Sequence, residues 1–286
     1  MGRIDDTVEE IRRMETHSSS IVAIKAARAL TELAERGYAN LDDYERALEQ
    51  NSGALRRANP SHASLYTTQR EVVDSVVGQA TELDEAERLT EAAVARVIDR
   101  VENGKDRAAA SAAETFEDGE VLLTHDYSST LLGAIEVATP ETSLTVYVTE
   151  ARPRFLGRKL ARRLTRTEGV EVHLGVDGAA GFFLQNRPVD RVIVGMDCIV
   201  DGVLYNRIGT FPIAAVADKF DVPLHVVGSS AKVIEDGFVF ENEFRPPSEV
   251  SLEPIDDVSI ENPAYDATPA DLVDTVITET GQFAPE

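Results

Sequence analysis

The chain has 286 residues, 43% of them hydrophobic, enough for one large domain or two smaller ones with separate cores. Its 51 acidic and 28 basic residues leave a net charge of -23, with no Lys/Arg run longer than a pair such as Arg162-Arg163; a direct grip on a nucleic-acid backbone, which needs a basic patch, is not expected. No apolar run approaches the roughly 20 residues of a membrane span, no signal-peptide core follows the start, and the single Cys198 allows neither an internal disulfide nor a CxxC metal site.

A cytoplasmic location is therefore expected. The acidic surface, with only five Lys against 23 Arg, predicts a halophilic protein whose stability rises with salt.

Residues 1 to about 115 read as a helical domain. Thr7, followed by Glu9 and Glu10, is a candidate N-cap, and Ile21, Ile24, Ala27, Leu30 and Leu33 recur at helical spacing until Gly37. Pro60 separates helices, and the Ala-rich stretch from Glu82 to Glu114 carries Val94, Val97 and Ile98 on one face. From Phe116 onward short apolar runs alternate with helical ones, the pattern of repeated βα units. Strands are expected at 121–124, 144–149, 170–176, 191–195 and 224–227. Helices are expected at 129–138, 157–166, 179–185 and 211–220, the last capped by Thr210. The fold class is α/β: an N-terminal helical domain (1–115), then a Rossmann-like, doubly wound parallel sheet domain (116–286).

In such sheets ligands bind beyond the carboxyl ends of the strands. The residues there are His125 and Asp126, Glu150 and Arg152, Asp177, Asp197, and Gly228 and Ser229. Helix starts near Ser128 and Thr210 offer N–H groups to a phosphate, and Arg152, Arg154, Arg207 and Lys232 supply positive charge. The competing structural uses are a turn-capping role for Asp177 and a packed, hydrogen-bonded role for His125. The five histidines lack metal spacing, so no metal is expected. The run from Gly175 to Gly181 is G-x-x-G-x-x-G and not the dinucleotide fingerprint, and P-loop and GxSxG motifs are missing. No cofactor is expected.

Four ordered motifs carry a resemblance: Thr124-His125-Asp126-Tyr127-Ser128, Val148-Thr149-Glu150-Ala151-Arg152-Pro153, Val192-Ile193-Val194-Gly195-Met196-Asp197 and Asn206-Arg207-Ile208-Gly209-Thr210. Together with Arg56-Arg57-Ala58-Asn59-Pro60 and Asn262-Pro263 to Thr268-Pro269, the chain resembles the initiation factor 2B α/β/δ superfamily. That group includes ribose-1,5-bisphosphate isomerase and methylthioribose-1-phosphate isomerase.

The resemblance implies a small phosphorylated ligand, a homo-oligomer and, for regulatory members, a translation initiation factor as partner. It maps the catalytic aspartate of the isomerases onto Asp197 and their catalytic cysteine onto Asp126. Arg207 stands where a lysine is usual, and Thr16-His17-Ser18-Ser19-Ser20 stands where the enzymes carry an Arg-Gly-Ala phosphate loop. Arg152, Asn206, Arg207, Gly209, Thr210 and Lys232 are the implied ligand contacts.

Two readings stay open at this point. One is a regulatory, initiation factor 2B alpha-like protein that binds a sugar phosphate or nucleotide monophosphate; Tyr127-Ser128 and the missing thiol favour it. The other is a ribose-1,5-bisphosphate isomerase-type aldose-ketose isomerase in which Asp126 and Asp197 form a carboxylate acid–base pair. Cys198 follows Asp197 directly, and consecutive strand residues face opposite ways, so a relocated catalytic thiol is disfavoured.

Overall fold

The computed structural model describes residues 2–13, 19–60, 62–234, 237–253 and 255–285. Two compact units emerge: Met1–Gly104 with Gly237–Glu241, and Lys105–Asp236 with Asn242–Glu286. Residues 16–18 of the Thr16–Ser20 segment lie outside the described residues.

The first unit is helical: α1 (Arg3–Arg12), α2 (Ser19–Leu30), α3 (Glu32–Arg36), α4 (Leu41–Ala58), α5 (Ala63–Asp74) and the first part of α6 (Leu83–Ala113). Ile4, Leu30, Leu33, Tyr44, Leu48, Leu55, Leu65, Val72 and Val97 fill its core. Asn40 caps α4, accepting from the Asp43 N–H at 2.9 Å. The expected cap at Thr7 is corrected: the N-cap of α1 is Gly2, five residues earlier, and the Thr7 hydroxyl donates to the Arg3 carbonyl at 2.7 Å inside the helix. The returning strip at 237–241 packs on α5, where Tyr66 donates to the Gly237 carbonyl at 2.6 Å and its ring meets Phe238.

The second unit is built on a seven-stranded sheet. In chain order it adds β1 (Glu120–His125), α7 (Ser129–Ala138), β2 (Leu144–Thr149), α8 (Leu156–Leu164), β3 (Val170–Gly175), α9 (Ala180–Asn186), β4 (Arg191–Gly195), β5 (Cys198–Val200), β6 (Val203–Arg207), α10 (Thr210–Lys219), β7 (Leu224–Val227), β8 (Val233–Ile234), β9 (Tyr265–Pro269), β10 (Thr275–Thr278) and β11 (Gly281–Phe283). The order across the sheet is β11-β10-β7-β4-β1-β2-β3, parallel except for β11.

Side-chain alternation sends Leu122 and Ile193 into a core with α7 and α8, and Leu123, Val192 and Val194 into a core with α9 and α10. Both faces are thus covered, which explains why these strands read as continuous apolar runs. The chain winds outward in one direction from β1 and in the other from β4, so the topological switch point lies between those two strands.

A second, four-stranded sheet with the order β8-β5-β6-β9 was not expected from the sequence. Its strands β5 and β6 lie between β4 and α10 in the chain, β8 and β9 come after β7, and β6 pairs Arg207 with Tyr265 and Asn206 with Asp266 of β9 across an antiparallel ladder. No described helix is long and apolar enough to cross a membrane.

Candidate functional site

At the switch point the first residue past β1 is Asp126, held at φ 65°, a left-handed backbone that directs its carboxyl inward. Asp126 is buried and stands 3.4 Å from the Arg207 guanidinium. Burial raises the pKa of its carboxyl, opposed by Arg207 and His125 and reinforced by the charge of Asp197. Asp197, just past β4, is fixed by its own N–H donating to the Tyr205 carbonyl at 3.0 Å.

Asp197 is the charge to which the other groups respond. The Arg207 guanidinium is raised despite its burial, by Asp197, Tyr265 and Asp126, so it stays a cation. Burial pushes Tyr265 up to about 12, with Asp197 adding to the effect, and the Tyr265 ring lies 4.8 Å from the Arg207 guanidinium carbon. Lys232 is pushed down by burial and partly restored by Asp197, and its Nζ donates to the Met196 carbonyl at 2.7 Å. Cys198 is fully buried and its thiol is pushed up to about 12 by burial and by Asp197, so it offers no thiolate at neutral pH.

A narrow cleft opens on this corner, lined by Asp126, Arg152, Arg154, Arg207, Arg245 and Asn262 among others. Four of its lining residues are arginines, three of them facing carboxylates. Arg207 faces Asp126; Arg245 meets Glu249 at 3.2 Å and Glu243 at 3.4 Å; Arg154 lies 4.0 Å from Glu249. Arg152, exposed and 5.4 Å from the Phe155 ring, has no carboxylate partner among the described residues. It is positioned from behind: the two Asp177 carboxylate oxygens accept the Ala151 and Arg152 N–H groups at 2.7 and 2.8 Å. This is the turn-holding use of Asp177.

His125 has a structural role. It is buried, its Nε2 lies 2.8 Å from the Ile208 carbonyl and its Nδ1 2.6 Å from the Thr149 hydroxyl. A carbonyl only accepts, so Nε2 carries the proton. Its ring also fills the space above Gly209, where φ is 107° and a Cβ would sit 2.7 Å from the imidazole.

The helix starts are less available than the sequence reading implied. The Asp266 carboxylate already accepts the Gly209 and Phe211 N–H groups at 2.6 and 3.0 Å, and the Ser128 hydroxyl accepts from Leu131 at 3.2 Å. Thr210 is the first residue of α10 and not its cap: its hydroxyl donates to the Arg207 carbonyl at 2.7 Å and accepts from Asn206 at 3.1 Å. Asp126, Arg152 and Arg207 therefore meet in the cleft with Asp197 beside them, while Asn206, Gly209, Thr210 and Lys232 are engaged in the scaffold behind it. Arg245, which the sequence did not single out, and Asn262 and Asp266, which it marked only as members of the motif from Asn262 to Pro269, reach this corner from the tail.

Residues 15–285 match the model of the initiation factor 2 subunit family. The chain belongs to that family. Curated relatives within it include the ribose 1,5-bisphosphate isomerase of Haloterrigena turkmenica, 34% identical over 98% of this chain and 90% of its own length, and that of Methanocaldococcus jannaschii, 32% identical over 100% and 93%. Among solved structures, the translation initiation factor eIF-2B of Pyrococcus horikoshii OT3 is similar with a TM-score of 0.77 and 27% identity, covering 99% of this chain and 97% of that one.

Proposed function

We propose that the cleft binds a phosphorylated pentose and that the chain interconverts its aldose and ketose forms, in the manner of a ribose 1,5-bisphosphate isomerase. The observation that carries this reading is the pairing, at the switch point, of a buried Asp126 of raised pKa with Asp197, beside the Arg207 cation. Converting the closed, 1-phosphorylated ring to the ketose removes the C2 proton while the bond from C1 to the ring oxygen breaks and that oxygen takes up a proton; a proton is then added to C1 as the C2 hydroxyl loses its own and becomes the carbonyl. Asp197 is the proton acceptor and Asp126, whose carboxyl pKa burial raises, the donor. Arg207 stabilises the negative charge that develops on the oxygen between them, while Arg152 holds a phosphate. The relatives named as ribose 1,5-bisphosphate isomerases support this reading over its rival.

The rival is a regulatory, initiation factor 2B alpha-like protein that binds a sugar phosphate or nucleotide monophosphate without turnover. One observation favours it: Asp126 stands where the isomerases that the chain resembles carry their catalytic cysteine, and Arg207 already neutralises it. Under either reading the protein works as an oligomer of its own copies.

The deciding experiment follows ketose formation from ribose 1,5-bisphosphate by NMR in KCl-rich buffer. Turnover that disappears in Asp197→Asn establishes the isomerase. Binding of the sugar phosphate without turnover establishes the regulatory protein instead.

A further inference from the structure

One helix departs from the acidic character of the chain. Arg152, Arg154, Arg158, Lys159, Arg162, Arg163 and Arg166 place seven of the 28 basic residues within 15 positions, and no Asp or Glu occurs from Ala151 to Thr167. The rest of the chain then carries -23 - 7 = -30. Gly157, Leu160, Ala161 and Leu164 bury the inner face of α8, so its cations form the outer face.

At the amino end these cations have partners: Arg158 binds Glu150 at 2.9 Å, and Lys159 lies 4.1 Å from the centre of the Tyr127 ring. Arg162, Arg163 and Arg166 are exposed and, among the described residues, meet no carboxylate. The negative end of the helix dipole favours cations in the last turn, yet like charges four residues apart, at 158 and 162 and at 159 and 163, repel. A face built of mutually repelling charges calls for a negative partner.

We infer that this face docks on an acidic helix face of a second copy of the chain. In the first unit an open cleft of about 360 Å³ is lined by Ala34, Glu35, Asp84, Glu87, Arg88 and Glu91. Glu35 is tied to Arg3 at 2.5 Å, whereas Asp84, Glu87 and Glu91 on α6 have no cation partner among the described residues. The charges are complementary: Arg162, Arg163 and Arg166, at and just past the end of α8, have no carboxylate partner among the described residues, and Asp84, Glu87 and Glu91 no cation.

A nucleic acid fits this face less well. Two nearby rings already carry a cation on one face, Phe155 under Arg158 at 3.9 Å and Tyr127 under Lys159 at 4.1 Å, and a base stacking on that face would have to displace it. The use of Arg in preference to Lys is chain-wide and carries no phosphate signal.

The inference deepens the oligomeric part of the function proposed above and is tested apart from it. Sedimentation velocity of the full chain in KCl compares wild type, Arg163→Glu/Arg166→Glu, Asp84→Arg/Glu87→Arg, and a 1:1 mixture of the two variants. Each variant alone is expected to sediment as a smaller species than wild type, with self-association weakened at least about tenfold, and the mixture to restore the wild-type species. Variants that keep the wild-type mass overturn the interface while leaving the oligomer standing, and so do variants that fall apart but fail to recombine. A monomeric wild type overturns both. An RNA oligonucleotide that binds wild type but not Arg163→Glu/Arg166→Glu, with masses unchanged, assigns the face to nucleic acid and overturns the proposal.

Discussion

The two ends of the seven-stranded sheet use the same ingredients to opposite effect. At the amino ends of β1, β4 and β7, the buried Arg191 meets Glu120 through Nε at 2.7 Å and Nη2 at 2.9 Å. It also donates to the Thr115 carbonyl and hydroxyl at 3.0 and 3.1 Å and to His225 Nδ1 at 3.0 Å, and lies 4.9 Å from the Phe116 ring. At the carboxyl ends of β1 and β4, Arg207 faces Asp126 at a looser 3.4 Å with Asp197 close by, beside an open cleft. A buried ion pair enclosed by several partners serves structure; one with fewer partners next to a cavity keeps places for a ligand.

That contrast is broken most severely at the closed end. Arg191→Met leaves Glu120 buried and uncompensated and is expected to cost about 3–5 kcal/mol, read by chemical denaturation in constant salt. Asp126→Asn at the open end is expected to cost less than about 1 kcal/mol or to stabilise, because it removes a charge that burial disfavours and leaves Arg207 near Asp197.

Activity reverses the ranking. Asp126→Asn takes away the proposed proton donor and is expected to lower kcat at least about 100-fold, while Arg191→Met, assayed below its melting temperature, keeps kcat within about threefold. Equal losses in both variants would erase the division between the two ends.

Titration sharpens it further, since the two ends respond to pH with opposite signs. His225 is pushed down by burial and by Arg191, and its Nδ1 must be unprotonated to accept from that guanidinium. Its contribution is complete above about pH 6.5 and is lost as pH falls through the lowered folded value. Asp126, raised by burial, contributes in the other sense: its stabilisation is complete below the ordinary aspartate value of about 3.9 and is lost as pH rises through the folded value. Melting curves across pH should therefore flatten on the acid side of 6.5 in His225→Gln, and Asp126→Asn should gain on wild type as pH rises from about 4.

How much of this was legible depended on where each residue's partners lie. Strand bounds at Leu144–Thr149, Arg191–Gly195 and Leu224–Val227 could be read directly, because strands covered on both faces are short apolar runs between turn signals. Asp126, Arg152 and Arg207 were identifiable once the carboxyl edge of the sheet was taken as the ligand edge. The small sheet was not, since β5 and β8 have three and two residues, too few to show a period. Nor was the capture of the α10 start by Asp266, a contact across 57 residues that depends on the β6–β9 register. Thr7 shows the local limit: Gly2 and Thr7 both suit a helix start, and packing of Ile4 and Ile11 into the core decides between them.

The smallest expected effect tests whether the loop after β2 is held for the ligand or merely for the fold. Asp177 fixes that loop with two carboxylate oxygens, each accepting one backbone N–H. An amide keeps one acceptor and turns a donor toward the other N–H, so Asp177→Asn is expected to cost about 1–2 kcal/mol in stability and to release Arg152 from its place at the cleft. Arg152→Ala removes the proposed phosphate contact and leaves the Asp177 hydrogen bonds to the loop in place. If Arg152 binds the ligand equally in ground and transition states, both variants raise KM, Arg152→Ala by about tenfold and Asp177→Asn by somewhat less, and neither changes kcat. Since only Asp177→Asn should also lower the melting temperature, steady-state kinetics and thermal melts on this pair separate positioning of Arg152 from plain support of the loop. A fall in kcat for Arg152→Ala would instead assign the guanidinium to the reacting end of the sugar, beside Asp126.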